Sequence, residues 1–320
     1  MNPIIVYLAK ARYGGWVTFT RHLQEAMRAQ GFRAPLRFAG KMMRPVDFGC
    51  GLRGLRMEPE ALLQDKRPFI IAAADKHHVE LATRLIGTGR GYIVVHDPAE
   101  KHLAHIPNNR RIVIRRSMHR ALPGSHFIPH PYTRHYGDDN APPKKKRRRA
   151  IAHSRIDFDK GTHHILEAND LGAKVEIRGA PNPRYVFFKL KERWPSFKPE
   201  PFPKTKEAGV ELCATSGAVV DMSVIKGDGG GSQYSFMEAW DAGTPLIISN
   251  EWVAGKPQDE MRPGYNCLAA SDGSQIAGLL DMLDRDKDMR ADLVANGLRS
   301  LEAHEPSVIG EQYRALLDAR

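Results

Sequence analysis

The sequence predicts an α/β protein built from two doubly wound, Rossmann-like domains, and three observations support this prediction. The chain has 320 residues, and a chain of this length ordinarily folds into more than one domain, each with its own hydrophobic core. Short apolar runs alternate with amphipathic stretches from the N-terminus onwards, as expected for parallel strands joined by helices. This alternation stops at a basic, proline-containing stretch near the middle of the chain and then restarts, so the sequence divides into two similar halves.

The first half begins with the apolar run 4–8, which predicts a buried strand that ends before a Gly-Gly turn. Phe19, Leu23 and Met27 recur at helical spacing, and Gly31 ends the helix that they predict. The remaining elements follow the same alternation. The predicted strands are 4–8, 68–74, 92–95 and 111–114, and the predicted helices are 18–30 and 76–86.

The second half repeats the pattern after residue 150. The predicted strands are 150–153, 174–177, 210–213, 218–220 and 245–249, and the predicted helices are 162–169, 235–242, 274–284 and much of 289–313. We therefore expect an N-terminal domain over 1–132, a linker over 133–149, a C-terminal domain over 150–304 and a last helix over 305–320 that packs back on the first domain. Doubly wound sheets bind their ligands at the carboxyl ends of the strands.

Composition narrows the class of protein. No apolar stretch approaches the roughly 20 residues that a membrane span needs, and the N-terminus lacks the basic flank of a secretory signal, so we expect a cytoplasmic protein. The three cysteines are far apart and predict neither a disulfide framework nor a metal site. Lysine and arginine number 48 against 37 acidic residues, and this excess of +11 favours a polyanionic partner.

The densest positive charge lies where the two domains should meet. Six consecutive cations stand there: Lys144, Lys145, Lys146, Arg147, Arg148 and Arg149. Such a run repels itself, and a solvated, flexible tether is one interpretation. Contact with a polyanion is the other.

The loop after the first strand of the second domain carries two cations in the sequence RIDFDKG. Arg155 and Lys160 are five residues apart and precede a predicted helix. A helix N-terminus offers N–H donors and the positive end of a dipole, and two cations neutralise two phosphates. The pattern therefore suits a diphosphate, although two solvated cations on the surface would give the same sequence pattern.

A second loop, from Gly229 to Ser232, also precedes a predicted helix. Glycines let a ligand approach the backbone, and the loop amides with the helix start favour an anion. Glu238 falls one turn inside that helix, where a carboxylate can accept hydrogen bonds from both hydroxyls of a ribose. An ordinary exposed helical glutamate is the alternative.

Together these segments resemble the donor half of retaining GT-B glycosyltransferases of the family 4 type. RIDFDKG is similar to their diphosphate loop, and FMEAWDAGTPLIIS to their Glu-Ala-x-x-x-Gly-x-Pro segment. The resemblance implies that Arg155 and Lys160 bind the diphosphate of a nucleotide sugar and that Glu238 binds its ribose. It places the backbone of Gly230, Gly231 and Ser232 near the diphosphate or the sugar.

The resemblance also implies transfer with retention, without metal or cofactor, and no clustered ligand motif contradicts this. The sequence departs from the family at one position. Members usually carry a second glutamate eight residues before the ribose glutamate, where this chain has Gly230, and Asp228 is the nearest carboxylate. The sequence therefore does not identify the residue that faces the anomeric carbon of the donor sugar.

The first half resembles the same family in two places. Gly14 and Gly15 follow the first strand, as in the loop whose amides approach the donor phosphate. His96 ends a strand in VVHDP, where members place a histidine that touches the donor sugar. Asp97 is then a neighbouring acid, or only a turn residue before proline.

For the acceptor, IRGAPNPRYVFFKL and the segment around Glu238 are also similar to bacteriophage enzymes that glycosylate hydroxymethylated bases in DNA. This implies a UDP-sugar donor such as UDP-glucose, and double-stranded DNA with modified bases as partner. The candidate DNA-backbone contacts are the run Lys144–Arg149, Arg115 and Arg116 in the stretch NNRRIVIRRSMHR, and Lys41 with Arg44. Two alternatives stay open: a peripheral-membrane glycosyltransferase acting on a lipid or polysaccharide, and a noncatalytic nucleic-acid-binding protein on the same scaffold. The sequence predicts no oligomeric state.

Overall fold

The computed structural model describes residues 2–12, 14–48, 51–97, 100–137, 139–143, 150–193, 199–201, 205–224, 233–254 and 260–319. The chain divides into two compact units: unit 1 comprises 1–133 and 303–320, and unit 2 comprises 134–302. Each unit contains one mainly parallel sheet with helices in the crossover connections. The predicted fold class, two doubly wound α/β domains, is confirmed.

The sheet of unit 1 has eight strands in the order β3-β4-β2-β1-β5-β6-β7-β8. They are β1 (Ile4–Leu8), β2 (Leu36–Ala39), β3 (Arg44–Asp47), β4 (Arg53–Met57), β5 (Phe69–Ala74), β6 (Gly91–Val95), β7 (Arg111–Val113) and β8 (His126–Phe127). All neighbours are parallel except β3 and β4, which form an antiparallel hairpin at the edge. Every residue of β1 and β5 is buried, because central parallel strands are covered on both faces.

Four helices belong to the first part of unit 1: α1 (Gly15–Ala29), α2 (Pro59–Gln64), α3 (Val79–Gly87) and α4 (Arg116–Ala121). The strand order reverses direction between β1 and β5, so the carboxyl ends of these two strands form the topological switch point. Asp75 follows β5 directly and accepts a hydrogen bond from the Lys10 N–H at 2.8 Å, which ties the two strand ends together.

The sheet of unit 2 has five parallel strands in the order β10-β9-β11-β12-β13. They are β9 (Ala150–His153), β10 (Val175–Arg178), β11 (Ala218–Asp221), β12 (Leu246–Ser249) and β13 (Leu268–Ala270). The helices are α5 (Thr162–Asp170), α6 (Pro183–Tyr185) with a π-helical continuation (Val186–Leu190), α7 (Ala208–Ala214), α8 (Tyr234–Asp241), α9 (Gly273–Arg285) and α10 (Lys287–Leu301). The switch point of this sheet lies between β9 and β11.

The last helix, α11 (Pro306–Asp318), belongs to unit 1 and packs on α1. Gly310 allows close approach, since a Cβ atom there would clash with the Ala26 carbonyl oxygen. The Gln30 side-chain amide donates to the Ser307 carbonyl at 2.9 Å at the same contact.

The structure differs from the sequence prediction at one predicted strand and at several short elements that were not predicted, namely β2, β3, β4, β8, α2, α4 and α6. Residues 210–213 are not a strand, and the prediction was wrong, because they lie within helix α7. Val210, Cys213 and Ala214 are buried at spacings of three and four, and so short an apolar run does not distinguish strand from helix. The hairpin of β3 and β4 was not predicted, because its strands are short and carry arginines, of which Arg44 and Arg53 are exposed and Arg56 is half-buried.

Candidate functional site

The switch point of unit 2 brings together the two loops that the sequence analysis singled out. β9 ends at His153 and is followed by the loop 154–161, and β11 ends at Asp221. The Val224 N–H donates to the Asp159 carbonyl at 2.8 Å, so the two loops are joined by a backbone hydrogen bond. This joined pair of loops, with the first turns of α5 and α8, is called the switch-point site below.

Lys160 is held in place at the switch-point site. Its ammonium group donates to the Ser223 Oγ at 3.1 Å and lies 3.5 Å from an Asp159 carboxylate oxygen, and only 13% of the side chain is exposed. Ser223 is itself fixed, because its N–H donates to Asp221 at 2.9 Å and its carbonyl accepts from the Trp252 indole at 2.5 Å. A positive charge is therefore fixed at the end of β11.

Arg155 has a different environment. Its guanidinium contacts Asp157 at 3.1 Å and Asp159 at 3.5 Å, both in its own loop, and 63% of the side chain is exposed. Exposed pairs of this kind contribute little to stability, because water screens them. Arg155 therefore remains available for an anionic ligand at the same loop that holds Lys160.

Gly161 ends this loop and caps α5. Its φ of 55° lies in the left-handed region, and a Cβ atom there would lie 2.7 Å from the Met222 carbonyl oxygen. Only glycine satisfies both conditions without strain. The turn thus brings the N-terminus of α5 next to the end of β11, where helix amides and dipole favour an anion.

Glu238 lies on α8 and contacts the end of β9. His153 Nε2 donates to Glu238 Oε2 at 3.0 Å, and the Cys213 thiol lies 3.8 Å from the same nitrogen. Burial opposes the charged form of His153, but Cys213 and the Glu238 carboxylate outweigh burial and raise the pKa of this histidine well above its usual value. His153 and Cys213 were missed in the sequence, since neither belongs to a local motif.

The position of the Glu238 carboxylate on α8 depends on Gly209 of the neighbouring helix α7. A Cβ atom on Gly209 of α7 would clash with both carboxylate oxygens of Glu238. Among the described residues, only His153 donates to this carboxylate, and it uses Oε2. Oε1 therefore remains to accept a hydrogen bond from a ligand.

Replacing Gly209 with alanine is expected to displace the Glu238 carboxylate. Since the resemblance of the sequence motifs implies that Glu238 binds the ribose of a nucleotide sugar, we expect this variant to bind UDP about tenfold more weakly than the wild type, the size of one lost hydrogen bond to a charged group. Gly278→Ala is the matched control, because Gly278 is also helical and a Cβ atom there would meet open space. Titration calorimetry with UDP measures both variants. Equal UDP affinity for the two would contradict the role given to Glu238.

In unit 1, the residues singled out lie at the carboxyl ends of β1 and β6. Gly14, with φ of 91°, precedes α1, and Gly15 is the first residue of that helix. A Cβ atom at either glycine would meet nothing within 4 Å, so backbone amides are accessible there. Asp97 follows His96 directly after β6.

His96 is a buried, neutral histidine. Burial lowers the pKa of His96 to about 4, and its Nε2 donates to the Ala72 carbonyl at 2.7 Å. This hydrogen bond fixes the tautomer, so Nδ1 is an acceptor. The Phe19 ring packs edge-on at 4.7 Å between ring centroids, which holds the imidazole in one orientation.

Glu100 is the residue of this region that sequence reasoning missed. Its carboxyl group accepts from the His96 N–H at 3.0 Å and hydrogen-bonds the Trp16 side chain. Burial raises the pKa of Glu100 to about 8, and the nearby Asp97 charge acts in the same direction. The available signal was its spacing of four residues after His96, which is too weak on its own.

The structure gives Arg115 and Arg116 different positions. Arg115 is buried and donates to the His96 carbonyl at 2.6 Å, so its position does not support the expected contact with a DNA backbone. Arg116 lies over the Phe127 ring at 4.8 Å from the centroid. Asp228, Gly230, Gly231, Ser232 and the run Lys144–Arg149 lie outside the described residues.

Two further properties of the described chain bear on metal binding and on membrane insertion. Its histidine, cysteine and carboxylate side chains form no group of three or more that could hold a metal ion. None of its helices combines the length and the hydropathy that crossing a bilayer requires.

Comparison with known proteins finds similarity of structure rather than of sequence. No protein-family model matches the chain, and no curated protein matches it. Among solved structures, Anabaena HepE in complex with UDP is similar with a TM-score of 0.72 and 12% identity, over 100% of both chains. Sucrose-phosphate synthase from Thermosynechococcus elongatus is similar with a TM-score of 0.70 and 16% identity, again over 100% of both chains.

A third similar structure is an alpha-glucosyltransferase in complex with UDP and a 13-mer DNA that contains an HMU base. Its TM-score is 0.69 and its identity 11%, over 99% of both chains. At these identities the likeness establishes the fold. The chain has the GT-B glycosyltransferase fold, as the resemblance of its motifs implied.

Proposed function

We propose that the protein is a glycosyltransferase that moves a sugar, glucose first among the candidates, from a UDP-sugar to a hydroxymethylated pyrimidine base in DNA. The nucleotide-sugar part of this proposal rests on the position of Lys160, which Ser223 fixes at the topological switch point of unit 2. Ligands of doubly wound sheets bind at this point. Similar structures contain UDP or UDP-glucose, which supports the nucleotide sugar as donor.

In the proposed reaction, Arg155 and Lys160 bind the diphosphate, and the backbone amides at the N-terminus of α5 add N–H donors. These groups stabilise the charge that develops as the diphosphate leaves the anomeric carbon. Glu238 accepts from a ribose hydroxyl through Oε1. Gly14, Gly15, Gly230, Gly231 and Ser232 supply backbone amides, and the leaving phosphate assists deprotonation of the acceptor, as the resemblance implies for retaining enzymes.

At the sugar, His96 is proposed to act as an uncharged acceptor through Nδ1, because its low pKa keeps the ring neutral at physiological pH. Asp97 and Asp228 are the carboxylates proposed near the reacting carbon in place of the glutamate that Gly230 replaces. The proposal requires no metal and no cofactor, because the two cations and the amides carry the charge of the diphosphate.

The DNA acceptor is supported by the alpha-glucosyltransferase structures with bound DNA and by the net charge of +11. A second candidate acceptor, a lipid or polysaccharide at a membrane surface, is favoured by one observation. Phe187 and Phe188 are exposed at 65% and 62%, beside Lys189 and Lys191. Aromatic and basic side chains in this combination suit an anionic interface.

The test combines a panel of UDP-, ADP- and GDP-sugars with duplex DNA that contains 5-hydroxymethylcytosine, 5-hydroxymethyluracil or unmodified pyrimidines. We expect the mass of the hydroxymethylated strand to rise by one sugar with a UDP-sugar, and the unmodified strand to stay unchanged, by mass spectrometry. Absence of transfer from every donor, with salt-dependent DNA binding retained, would indicate a noncatalytic binding protein. Flotation with anionic liposomes and no DNA binding would favour the membrane acceptor.

A further inference from the structure

The switch-point site contains a buried histidine to which the proposed reaction gives no role. His153 is the last residue of β9, and only 3% of its side chain is exposed. Its Nε2 donates to Oε2 of Glu238 at 3.0 Å, and 18% of the Glu238 side chain is exposed. The imidazole is therefore the inward partner of this pair, and the carboxylate is the partner that a ligand can reach.

The backbone that carries His153 is closely packed. In the parallel pairing of β9 with β10, His153 lies opposite Arg178, and the Ser154 N–H donates to the Arg178 carbonyl at 3.2 Å. A Cβ atom on Gly179, the next residue of the neighbouring chain segment, would clash with the Ser154 carbonyl oxygen. Because the strand end has so little room to move, the imidazole approaches Glu238 from a fixed position.

The hydrogen on His153 Nε2 goes to the carboxylate and not to the nearby thiol. Cys213 Sγ lies 3.8 Å from this nitrogen, whereas Glu238 Oε2 lies at 3.0 Å. An imidazole nitrogen carries one hydrogen, and the shorter contact with a charged oxygen is the stronger one. Burial opposes the charged ring, but Cys213 and Glu238 outweigh burial and raise the pKa of His153 well above its usual value. The contact therefore joins a cation to an anion at neutral pH.

This contact fixes the orientation of a side chain that is otherwise free to rotate. A glutamate on a helix samples several rotamers, and a ligand that needs one of them must immobilise it on binding. Here His153 holds Oε2, and Gly209 leaves only the space that the carboxylate fills, since a Cβ atom there would clash with both oxygens. Oε1 is thus oriented before any ligand arrives, which lowers the cost of binding.

An oriented acceptor can distinguish nucleotides that the cations of the site cannot. Ribonucleoside and deoxyribonucleoside diphosphates carry the same diphosphate, so Arg155 and Lys160 should bind both equally well. The two classes differ in one hydroxyl group of the pentose. A site built to hydrogen-bond a hydroxyl rejects an analogue that lacks it, because a partly buried acceptor is then left unpaired.

We propose that His153 is a positioning residue that makes the switch-point site specific for ribonucleoside over deoxyribonucleoside diphosphates. It holds Oε2 of Glu238 so that Oε1 accepts from one hydroxyl of the ribose. The inference rests on the proposed nucleotide-sugar donor and names the residue that sets the pentose specificity of that donor. It applies whatever the acceptor is, because the acceptor takes no part in this contact.

The experiment measures binding without transfer, by titration calorimetry with UDP, 2′-deoxy-UDP, 3′-deoxy-UDP and inorganic pyrophosphate. The variants are His153→Gln, His153→Asn and His153→Leu. Glutamine places an amide N–H donor near the position of the histidine Nε2, asparagine has the same amide but is too short, and leucine has no donor. His126→Leu is the control for the loss of a histidine, because His126 lies on β8 of unit 1 and its Nε2 donates to the Asn109 carbonyl at 3.1 Å.

We expect the wild type to bind UDP about tenfold more tightly than at least one of the two deoxy analogues, the effect of one hydrogen bond to a charged group. His153→Leu and His153→Asn should bind UDP about tenfold more weakly and that analogue as the wild type does, so that the discrimination disappears. His153→Gln should retain most of it, and His126→Leu all of it. Pyrophosphate affinity should be the same in all five proteins, because Arg155 and Lys160 are unchanged.

Wild-type discrimination in both His153→Leu and His153→Asn would overturn the proposal. Equal weakening of UDP and of both analogues would also overturn it, because a contact with only a structural role acts on all nucleotides alike. If His153→Leu fails to fold, the comparison of the two amide variants decides, with pyrophosphate binding as the sign of an intact loop.

Failure of the proposed donor has a different signature, since the wild type would then bind neither UDP nor pyrophosphate. A wild type that binds UDP and both deoxy analogues equally well would overturn the role of His153 and leave the donor assignment in place.

Discussion

Lys160→Ala is expected to lower the rate of sugar transfer by about two to three orders of magnitude, the cost of removing one group that stabilises developing charge in an enzyme site. The size of the effect follows from the position of the ammonium group. Lys160 is largely shielded from water and held by Ser223 and Asp159, so its charge is fixed before the donor binds. Bulk water cannot supply an equivalent charge when the diphosphate leaves.

The expected effect on binding is smaller than the effect on the rate, because a preorganised charge acts mainly on the transition state. UDP affinity from calorimetry and initial rates from product mass separate the two. Lys287→Ala is the control, since Lys287 begins α10 in the same unit and away from the switch-point site. If Lys160→Ala bound UDP as tightly as the control and transferred sugar at its rate, the phosphate assignment would be wrong.

The second large effect concerns pH and Glu100. Because burial raises the pKa of Glu100 to about 8, the folded protein retains a proton that the unfolded chain has already released above about pH 4.5. The stability that this proton provides is complete below the unfolded pKa and is lost as pH rises through the folded pKa. His96 shifts in the opposite sense, but its contribution is confined to the window between about 4 and its usual value of 6.5.

Between pH 6.5 and 8.5, therefore, Glu100 is expected to dominate the pH dependence of the unfolding free energy of unit 1. Unit 1 of the wild type should lose about 2 kcal/mol of unfolding free energy across this window, since each unit of pKa shift corresponds to about 1.4 kcal/mol. Glu100→Gln cannot ionise and should show a flat profile there. Denaturant unfolding at several pH values, followed by circular dichroism and fitted with one transition for each unit, measures the difference.

Glu80→Gln is the control for Glu100→Gln, because Glu80 is exposed on α3 of the same unit. It should retain the wild-type slope. Parallel profiles for wild type and Glu100→Gln would show that Glu100 is already ionised at neutral pH. In that case the carboxyl group would hold the His96 turn and Trp16 through its charge and not as a neutral acid.

The sequence predicted the parts of the candidate site that are local. Arg155, Lys160 and Gly161 lie within eight residues of a strand end, so their spacing, together with the resemblance of RIDFDKG to a diphosphate loop, indicated a loop that faces a ligand. His153 and Cys213 are 60 residues apart and meet only because β9 and α7 pack together. Glu100 likewise acquires its raised pKa from burial, and burial is a property of the whole fold.

The fold class was predictable because two long stretches of strand and helix periodicity agree with each other. The exceptions have physical reasons. Part of α7 was predicted as a strand because its apolar run is too short to distinguish the helical from the strand periodicity. The strands β3 and β4 were not predicted because arginines interrupt the alternation of apolar and polar residues that marks a strand.

Two aspartates of the loop 154–161 pair with Arg155, and an anionic ligand would have to replace them. Asp157 and Asp159 occupy the guanidinium until an anion arrives, and an incoming diphosphate competes with them for it. Since exposed ion pairs are worth at most about 1 kcal/mol, this exchange costs little. A ligand with two adjacent phosphates can engage Arg155 and Lys160 together, whereas a monophosphate must compete for each alone. Under the proposed donor assignment, we therefore expect the loop to bind a nucleoside diphosphate more tightly than a single phosphate.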